Sequence, residues 1–508
     1  MTLPRTDRSI LRHLDSAIAS IIGFVVIYLY TRHSGIGTSP DSIMYASTAR
    51  NLYEGNGFLA IGNAPLVIFP LFYPLFLSFV MFVTRLDVFV SATILNGLLF
   101  AAVLFLSGIF MENFRNRSRI YKWCILSLFV LSPFLGEIYT MLWSETLFIL
   151  LSLLFVLSAR SYFSGNHSRL SLYSMSIFAA LAFDTRFAGV SLVVTGFSLI
   201  LFDRDLKNKI KTNHLIQFSL VSCAPVVFNL IRNILLSEYV TGHRQKGRTL
   251  LSDNISYTGN VLSDWLHITF RNHLFEIYLV VIVIAYFIIR FIINTKKKKD
   301  YSSFENILSA FFVVYTTIIL ITSTLSRYEQ INNRLLSPAY IPFFIGISYQ
   351  LPSIIRLLQK QWLRLSTAFV GLLLCLYIMR NYYEIQQENY GYMKDTGIPG
   401  YTEDTWRNSQ TMRFLVTHPS FFERNKVYYS NQNQAVYLYT NRSVKNIPER
   451  LYIDDVTGFT HDNPIILIWF NFDTDPEILT ISDIEKKKSI QLLYTFSDGY
   501  IMELHNKY

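Results

Sequence analysis

Long apolar runs constrain this chain more than any other feature of its sequence. Runs such as 16–30, 88–110 and 215–236 reach or approach the roughly 20 mostly apolar residues that an α-helix needs to cross a bilayer. Hydrophobic residues make up 51% of the 508 positions. Charged residues make up only 16%, below the roughly 25% of ordinary soluble domains. Most of the chain is therefore predicted to lie in lipid.

The charged and cysteine residues exclude several other classes of protein. Lys and Arg gather in short loops between apolar runs, as in cytoplasmic loops that face an anionic leaflet, so the net charge of +10 does not indicate nucleic-acid binding. Cys124, Cys223 and Cys375 each lie within an apolar run, and no CxxC pair occurs. The sequence therefore indicates neither a disulfide framework nor a cysteine metal site. The first run is predicted to be retained as a span, because no small-residue cleavage site follows it.

The placement of basic residues decides how the apolar segment 66–84 is interpreted. If this segment crossed the bilayer after a cytoplasmic N-terminus, four basic loops would face outward, against the positive-inside rule. These loops are 115–122, 204–211, 296–299 and 356–364. If the segment, broken by Pro70 and Pro74, instead lies along or dips into the outer interface, all four loops return to the cytoplasm. We therefore predict that it does not span.

The resulting topology has about eleven spans and a soluble tail. The spans lie near 16–30, 88–110, 121–139, 144–159, 170–184, 187–202, 214–236, 274–293, 304–325, 336–354 and 365–380. The predicted fold class is an α-helical polytopic membrane protein with a small C-terminal extracytoplasmic α/β domain. Its predicted domains are a transmembrane domain, 1–380, which contains the first outer loop, 31–87, and a soluble domain, 381–508.

The tail is predicted to be an α/β layer domain from its alternating elements. Short apolar runs that indicate strands alternate with segments that indicate helices. The helices are expected at 403–416 and 476–486, and the strands at 426–430, 464–470 and 489–496.

The first outer loop contains the most informative polar residues. Pro40 and Asp41 begin a helix well, because a carboxylate there faces the positive end of the helix dipole. The segment is amphipathic, is punctuated by Gly55 and Gly57, and lies where the chain is about to re-enter lipid. An acid at that position is costly unless it has a use or a partner. From the residues alone, Asp41 is either a helix cap or a functional acid.

Four motifs, in order along the chain, resemble the GT-C glycosyltransferases, a group that includes protein O-mannosyltransferases and aminoarabinose transferases. The first is Asp-x-x-x-Tyr at 41–45, followed by Ala-Arg-Asn-Leu, Glu-Gly-x-Gly-Phe and a Pro-rich apolar segment. The others are Ser-Glu-x-Leu-Phe at 144–148, Thr-Arg-x-x-Gly at 185–189 and Arg-x-x-x-Pro at 334–338. In the predicted topology all four lie at the outer face. The resemblance covers about residues 10–355.

The resemblance implies a donor carried on a lipid, because nucleotide sugars are not expected outside the cytoplasmic membrane. The expected donor is a polyprenyl-phosphate sugar, and Asp41 is the expected general base toward the acceptor hydroxyl. Arg186 and Arg334 are expected to hold the departing phosphate, because a guanidinium stays charged and grips phosphate bidentately. Interfacial snorkelling is the alternative for both arginines.

Further site residues are predicted with less direct support from the motifs. Glu145 is predicted as a second catalytic residue that orients donor or acceptor, with simple pairing to a basic residue as the alternative. Tyr45 and Asn51 are predicted to contact substrate. His243 and Arg244, in a basic patch with Lys246 and Arg248, are predicted to bind donor phosphate, with lipid-headgroup contact as the alternative.

No cofactor and no metal ligand are predicted. Many members of the resembled group carry two adjacent acids in the first loop, where this chain has Asp41 and Ser42. Because a divalent cation wants several oxygen ligands, the missing acid favours metal-independent catalysis, although a divalent metal stays open. Asp473-Thr474-Asp475 matches the Asp-x-Asp motif of nucleotide-sugar transferases, but the motif is short and common by chance. It is not predicted to be a site.

Together these features predict a multi-pass transferase of the inner (plasma) membrane, acting on a lipid, glycan or protein acceptor at the extracytoplasmic face. Two alternatives stay open: an O-antigen ligase-like or polymerase-like enzyme, and a transporter of lipid-linked oligosaccharides. A transporter should place charges in mid-span and often shows repeated halves, and neither is visible here. A ligase mechanism built on outer-loop arginines would not need Asp41.

Overall fold

A computed structural model describes residues 5–114, 117–165, 167–237, 239–242, 245–327, 329–423, 425–472 and 475–507. The chain forms two compact units. The first unit comprises Met1–Arg32 and Leu66–Gly391, and the second comprises His33–Pro65 and Tyr392–Tyr508. The predicted division after residue 380 stays a prediction, although the structure groups part of the first outer loop with the tail.

The helices up to residue 396 account for most of the chain, and all but α2 and the end of α17 lie in the first unit. They are α1 (Arg5–Thr31), α2 (Pro40–Glu54), α3 (Phe72–Thr84), α4 (Val88–Glu112), α5 (Arg119–Val130), α6 (Pro133–Thr140), α7 (Glu145–Ser164), α8 (Arg169–Thr185), α9 (Val190–Phe202), α10 (Asn208–Ser237), α11 (Leu251–Leu266), α12 (His273–Asn294), α13 (Lys298–Tyr301), α14 (Phe304–Leu325), α15 (Asn333–Ser348), α16 (Leu351–Leu357) and α17 (Gln361–Thr396).

Seven of the described helices are long and apolar enough to cross a membrane. They are α1 (from His13), α4, α7, α10, α12, α14 and α17. An eighth arises if α5 and α6, which meet at a 50° bend, form one broken span. The predicted fold class of a polytopic helical membrane protein is confirmed, and the number of about eleven spans stays a prediction.

The apolar segment after the first outer loop is short in the structure. Helix α3 has 13 residues, which corresponds to roughly 20 Å, against a hydrocarbon core of roughly 30 Å. The chain just before it is tied to α10, because Arg232 Nη1 donates to the carbonyl of Leu66 at 2.9 Å and Asn233 Nδ2 to that of Val67 at 3.1 Å. This length favours the predicted interfacial position over a span.

Close packing of α1 on α4 relies on small residues. A Cβ added at Gly23 would lie 2.3 Å from the side chain of Leu104, and one at Gly97 would lie 2.8 Å from Phe24. Small residues of this kind let helix backbones approach in lipid, where the hydrophobic effect does not drive association between helices.

Besides α2 and the end of α17, the second unit contains a five-stranded sheet and five short α-helices among its described residues. The sheet consists of β1 (Val427–Ser430), β2 (Lys445–Asn446), β3 (Ile465–Phe470), β4 (Lys488–Phe496) and β5 (Gly499–Asn506), in the order β2-β1-β3-β5-β4. Strands β2, β1 and β3 run parallel to one another. Strand β5 pairs antiparallel with β3, and β4 pairs antiparallel with β5. The helices are α18 (Asp404–Arg407), α19 (Gln410–Thr417), α20 (Asn433–Thr440), α21 (Ile453–His461) and α22 (Ile481–Lys487).

The central strand β3 is buried at all six positions, as expected of a strand that is covered on both faces. The predicted small α/β domain is confirmed. Strands β1, β3 and β4 begin and end within one residue of their predicted bounds, the predicted helix at 403–416 is divided into α18 and α19, and the predicted helix at 476–486 begins later, as α22. Strands β2 and β5 and helices α20 and α21 were not predicted.

Part of the first outer loop is integrated into this second unit by hydrogen bonds. The backbone N–H of Tyr401 donates to the carbonyl of Thr38 at 3.0 Å. The N–H of Ile398 donates to Ser34 Oγ at 3.0 Å, and Arg407 Nη2 donates to the carbonyl of Ser34 at 2.5 Å. Because both the hydroxyl and the backbone carbonyl of Ser34 accept hydrogen bonds, the segment that leads into α2 is held in place.

Candidate functional site

Glu145 lies at the start of α7, where the connection from α6 is held rigidly. Asn96 Nδ2, on α4, donates to the carbonyls of Tyr139 and Met141 at 3.0 and 2.8 Å. Thr146 Oγ1 donates to the carbonyl of Trp143 at 2.8 Å and closes the first turn. The side chain of Glu145 is fully buried. A buried carboxylate is costly unless it is paired, so the partners of Glu145 determine what the site can do.

Arg186 is the first of these partners and is positioned by a tight turn after α8. The N–H of Gly189 donates to the carbonyl of Arg186 at 2.8 Å. A Cβ at Gly189 would lie 2.4 Å from the backbone of Phe183, so this turn requires glycine. Arg186 Nη1 lies 2.6 Å from Glu145 Oε2 and donates to Ser144 Oγ at 2.9 Å.

Arg334 is the second partner and approaches from the start of α15. Asn332 caps this helix, because its side chain accepts from the N–H of Leu335 at 3.0 Å. Arg334 Nε donates to Glu145 Oε1 at 2.8 Å, and its guanidinium carbon lies 4.1 Å from the centre of the Trp143 ring. A cation over an indole face is a favourable arrangement that also fixes the guanidinium plane.

The neighbour of Arg334 anchors the same helix start to α11. Asn333 Nδ2 donates to Asp264 Oδ2 at 3.0 Å, and Trp265 Nε1 donates to Asn333 Oδ1 at 3.0 Å. Asp264 also pairs with Arg271 Nη2 at 2.5 Å. The position of the Arg334 backbone is therefore set by a chain of hydrogen bonds that does not involve Glu145.

These residues form one cluster, the Glu145 clamp, defined as Glu145, Arg186 and Arg334. Each carboxylate oxygen of Glu145 holds a different arginine, so these three residues carry one surplus positive charge, which Glu329, 3.9 Å from Arg334 Nη1, partly offsets. Both arginine side chains keep 16% of their surface exposed, whereas Glu145 keeps none. A rigid, partly accessible pair of guanidinium groups is suited to bind an anion such as phosphate.

Asp41 lies in the first turn of α2, in the second unit, and is half-buried. The N-cap of this helix is Ser39, and Ser42 Oγ accepts from the N–H of Ser39 at 3.0 Å. The predicted helix start at Pro40 is confirmed. The cap itself is formed by the two serines.

The two predicted substrate residues of the same loop are held by the fold. Tyr45 is buried, with 2% of its surface exposed. Asn51 Nδ2 donates to the carbonyl of Leu59 at 2.8 Å, and Asn51 Oδ1 accepts from Asn56 at 3.3 Å. These bonds close the turn that contains Gly55 and Gly57, so Asn51 has a structural function in addition to any contact with substrate.

Some predicted residues lie outside the part of the chain that the structure describes. His243 and Arg244 are among them, as are Asp473 and Thr474 of the Asp-x-Asp sequence. Of the remaining basic patch, Lys246 forms a β-bridge with Ser326, and the neighbouring N–H of Arg327 donates to the carbonyl of Gln245 at 2.9 Å. The segment around Gln245 and Lys246 is thereby attached to the end of α14.

Several residues around the clamp were not predicted as site residues. Trp143 and Ser144 adjoin Glu145 in its motif, and their contacts with the arginines follow from packing. Glu329 Oε1 lies 3.9 Å from Arg334 Nη1, and Glu137, on α6, interacts with Arg334 through space. No local sequence pattern predicts a function for Glu137 or Glu329. Glu137 precedes the motif at 144–148 and Glu329 precedes the motif at 334–338 by only a few residues. Among the described residues, no three His, Cys, Asp or Glu side chains converge in a way that could hold a metal ion.

Comparison with solved structures identifies the fold. The chain superposes on ArnT from Cupriavidus metallidurans bound to undecaprenyl phosphate with a TM-score of 0.56 and 11% identity, over 98% of each chain. It superposes on the Archaeoglobus fulgidus oligosaccharyltransferase in complex with zinc and sulfate with a TM-score of 0.54 and 10% identity, over 97% of this chain and 73% of that one. The chain has the GT-C fold.

The archaeal oligosaccharyltransferase AglB from Archaeoglobus fulgidus, in complex with an inhibitory peptide and a dolichol-phosphate, matches with a TM-score of 0.51 and 9% identity, over 90% of this chain and 69% of that one. No protein-family model and no curated protein matches the sequence. The GT-C resemblance drawn from four motifs is confirmed at the level of fold.

Proposed function

We propose that this protein transfers a glycosyl group from a polyprenyl-phosphate-linked sugar to an acceptor at the extracytoplasmic face of the inner membrane. The observation that carries the proposal is the Glu145 clamp, in which one buried carboxylate orients two partly exposed arginines. The neighbours of this fold support the type of donor, since ArnT is bound to undecaprenyl phosphate and AglB to a dolichol-phosphate.

In this mechanism Arg186 and Arg334 hold the phosphate of the lipid carrier. As the bond between the anomeric carbon and the phosphate oxygen breaks, negative charge grows on the phosphate, and fixed cations stabilise that charge. Glu145 contacts neither donor nor acceptor in this proposal, because it is fully buried between the arginines. It acts as a positioning residue, which replaces the catalytic function predicted for it from its motif.

Asp41 is the proposed general base, which accepts the proton of the acceptor hydroxyl as that oxygen attacks the anomeric carbon. Its place in the first turn of α2 supports this function indirectly, because Ser39 and Ser42 form the cap. In that turn the carboxylate of Asp41 also interacts favourably with the helix dipole, typically by about 0.3–1 kcal/mol. Tyr45 and Asn51 stay predicted contacts to substrate, and the acceptor is proposed to be a lipid, glycan or protein.

The decisive experiment replaces Asp41 by Asn in the purified protein and measures sugar transfer from a polyprenyl-phosphate donor. Loss of a general base typically lowers a rate by about 10²–10⁴-fold, whereas Asn keeps the shape of the side chain. We expect turnover to fall by that order, with an unchanged melting temperature and donor affinity.

Asp454→Asn is the matched control, since Asp454 is an exposed acid in the first turn of α21. This variant should transfer sugar at the wild-type rate. Near wild-type transfer by Asp41→Asn would remove Asp41 as the base. Donor binding without any transfer by the wild-type protein, together with movement of the lipid-linked sugar across vesicles, would favour the transporter instead.

A further inference from the structure

Two cysteines that are far apart in the sequence meet in the first unit. Cys124 is on α5, and Cys375, 251 residues later, is on α17. Cys375 Sγ lies 3.8 Å from the backbone carbonyl oxygen of Cys124, and the two thiols interact with each other as hydrogen-bond partners. All three cysteines of the chain are free thiols, and Cys223, on α10, lies 3.9 Å from Ser222 Oγ instead. The structure thus brings together a thiol pair that no sequence spacing indicated.

A third sulfur adjoins this pair. Met379 follows Cys375 by one turn of α17, and Cys375 Sγ lies 3.7 Å from Met379 Sδ. Residues four apart on an α-helix share a face, so both sulfurs project from the same side of α17. Cys375 therefore contacts one sulfur from α5 and one from its own helix. We call Cys124, Cys375 and Met379 the three-sulfur site.

The donor atoms of this site favour a soft metal ion. Thiolate and thioether sulfurs select ions such as Cu(I), whereas Mg²⁺ and Ca²⁺ prefer oxygen ligands. Structural Zn²⁺ is held by four ligands drawn from Cys, His and carboxylates. Among the described residues, no third side chain of His, Cys, Asp or Glu joins the two cysteines in a group that could hold a metal ion. A thioether as the third ligand therefore favours Cu(I) over Zn²⁺.

The spacing and the surroundings of the sulfurs agree with this choice. Three sulfurs arranged evenly around one ion, at the bond length of about 2.3 Å known for Zn–S, lie about 4 Å apart. The distance of 3.7 Å between Cys375 Sγ and Met379 Sδ is close to that value. Both helices are apolar around the site, and the charged residues nearest in sequence, Lys122 and Arg380, pair with carboxylates outside it. An uncompensated charge is costly there, so the bound site should be neutral.

We propose that the three-sulfur site binds one Cu(I) ion, which joins α17 to α5. As the ion binds, one thiol releases its proton to water, the other thiol stays protonated, and Met379 coordinates through a sulfur lone pair. The complex is then neutral, and no electron is transferred. Only 6% of the apolar window of α17 is buried, the lowest share among the seven candidate spans, so a bond to α5 supplements weak packing. The proposal stands whether or not the transfer reaction occurs.

The test titrates Cu(I), kept reduced by ascorbate, into the full chain in detergent micelles against the chromogenic chelator bicinchoninate. We expect one ion per chain and a near-ultraviolet absorption band from the bond between thiolate and Cu(I). Because the ion binds the native state, the melting temperature of the protein should rise as well. Absence of stoichiometric binding would overturn the proposal, as would displacement of the Cu(I) by an equal concentration of Zn²⁺.

Substitutions identify the ligands. Loss of an outer partner of a metal site typically lowers affinity by about 10–100-fold, and loss of a thiol ligand should lower it by more. Cys124→Ser and Cys375→Ser should therefore each weaken binding by at least about 100-fold, and Met379→Leu by about 10–100-fold. Cys223→Ser is the matched control, since it also removes one thiol from an apolar helix, and it should bind as the wild type does. Equal affinities in all four variants would overturn the proposal.

A measurement on the unaltered protein keeps the proposal falsifiable if a serine variant does not fold. A membrane-permeant maleimide alkylates free thiols, and mass spectrometry of the digested protein locates each alkylated cysteine. One equivalent of Cu(I) should slow the alkylation of Cys124 and Cys375 by at least about tenfold and leave that of Cys223 unchanged. Equal protection of all three cysteines would indicate non-specific binding to thiols, and no protection would indicate that the two thiols are only packed apolar groups. Either result would contradict the proposed site.

Discussion

Two buried charge clusters in the first unit have opposite compositions. In the Glu145 clamp, one carboxylate lies between Arg186 at 2.6 Å and Arg334 at 2.8 Å. In the second, the Lys122 cluster, one ammonium lies between two carboxylates. Lys122 Nζ pairs with Asp15 at 2.5 Å and with Glu112, and His13 Nδ1 lies 2.6 Å from Glu112. The first cluster has a surplus of cations, and the second has a surplus of acids.

The accessibility of the two clusters also differs. The arginines of the clamp are 16% exposed, whereas the side chains of Lys122 and Glu112 are 5% and 6% exposed. Any buried ion requires a partner, so pairing alone does not indicate function. The clamp differs because its two arginines outnumber its one carboxylate and are partly exposed, although Arg334 also faces Glu329 at 3.9 Å. The side chains of the Lys122 cluster are largely buried, and we interpret their ion pairs as structural contacts that hold α1, α4 and α5 together.

The largest expected effect is all-or-none and concerns the side of the membrane on which each cluster lies. In the predicted topology the clamp is at the outer face and the Lys122 cluster at the cytoplasmic end of the first span. A reporter fused after Arg380 should therefore read extracytoplasmic, and one fused after Lys299 should read cytoplasmic. Alkaline phosphatase and green fluorescent protein fusions measure this. A cytoplasmic tail would reverse the two faces and remove the predicted route of the donor.

The next effect separates stability from binding. Lys122→Met leaves Asp15 and Glu112 without their shared cation, which should lower the free energy of unfolding by about 3–5 kcal/mol. The donor affinity of the folded fraction should not change. Glu145→Gln should lower stability by a similar amount and also weaken donor binding, because both arginines lose their orientation.

Chemical unfolding in detergent, followed by donor titration of the folded fraction, measures both quantities. A Lys122→Met variant that lost donor affinity as strongly as Glu145→Gln would remove the distinction between the two clusters.

A smaller effect tests whether the clamp arginines bind through geometry as well as charge. Arg186→Lys and Arg334→Lys keep the charge but lose the bidentate grip, so each should raise the donor Kd by about tenfold. Arg380→Lys is the control, since Arg380 is 80% exposed and pairs with Glu384 in the neighbouring turn of its own helix. Donor titration of the three variants provides the comparison. If Arg186→Lys and Arg334→Lys bound the donor as tightly as Arg380→Lys does, the two arginines would be interpreted as interfacial anchors that do not bind the donor.

The smallest effect is expected at an exposed pair in the second unit. Lys445 Nζ lies 2.7 Å from Asp462 Oδ2, and this hydrogen bond holds the pKa of Asp462 below its usual value. A carboxylate whose folded-state pKa is lowered contributes stability above its unfolded pKa and loses it as the pH falls through the folded value. Asp462→Asn should lower the stability of this unit at pH 7 by less than about 1 kcal/mol.

The difference between Asp462→Asn and wild type should shrink as the pH falls through the lowered pKa of Asp462, and should vanish once this carboxyl is protonated in both the folded and the unfolded state. Thermal unfolding as a function of pH measures this, with Glu485→Gln on α22 as a control. A difference that persisted in acid would indicate that packing, and not charge, is the cause.

Much of the fold could be predicted from sequence because its signals are local. The long apolar helices α4, α7, α12 and α14 follow from composition over about 20 residues, and β3 follows from a continuous buried run. The bend between α5 and α6 was missed, since the apolar run continues through it. Strand β2 has only two residues and exists because it pairs with β1, so no local pattern could have indicated it.

The candidate site likewise has features that the sequence predicts and features that depend on the tertiary structure. The sequence by itself determined that acids and arginines occur at the ends of apolar helices, and the motif resemblance selected Glu145, Arg186 and Arg334. Only the tertiary structure decided that these three meet on one carboxylate, while Ser39 and Ser42 cap the helix that contains Asp41. The physical reason is that hydrophobicity and helix signals act over neighbouring residues, whereas Coulomb and hydrogen-bond energies depend on distances between remote side chains. Those distances are fixed only when the helices pack.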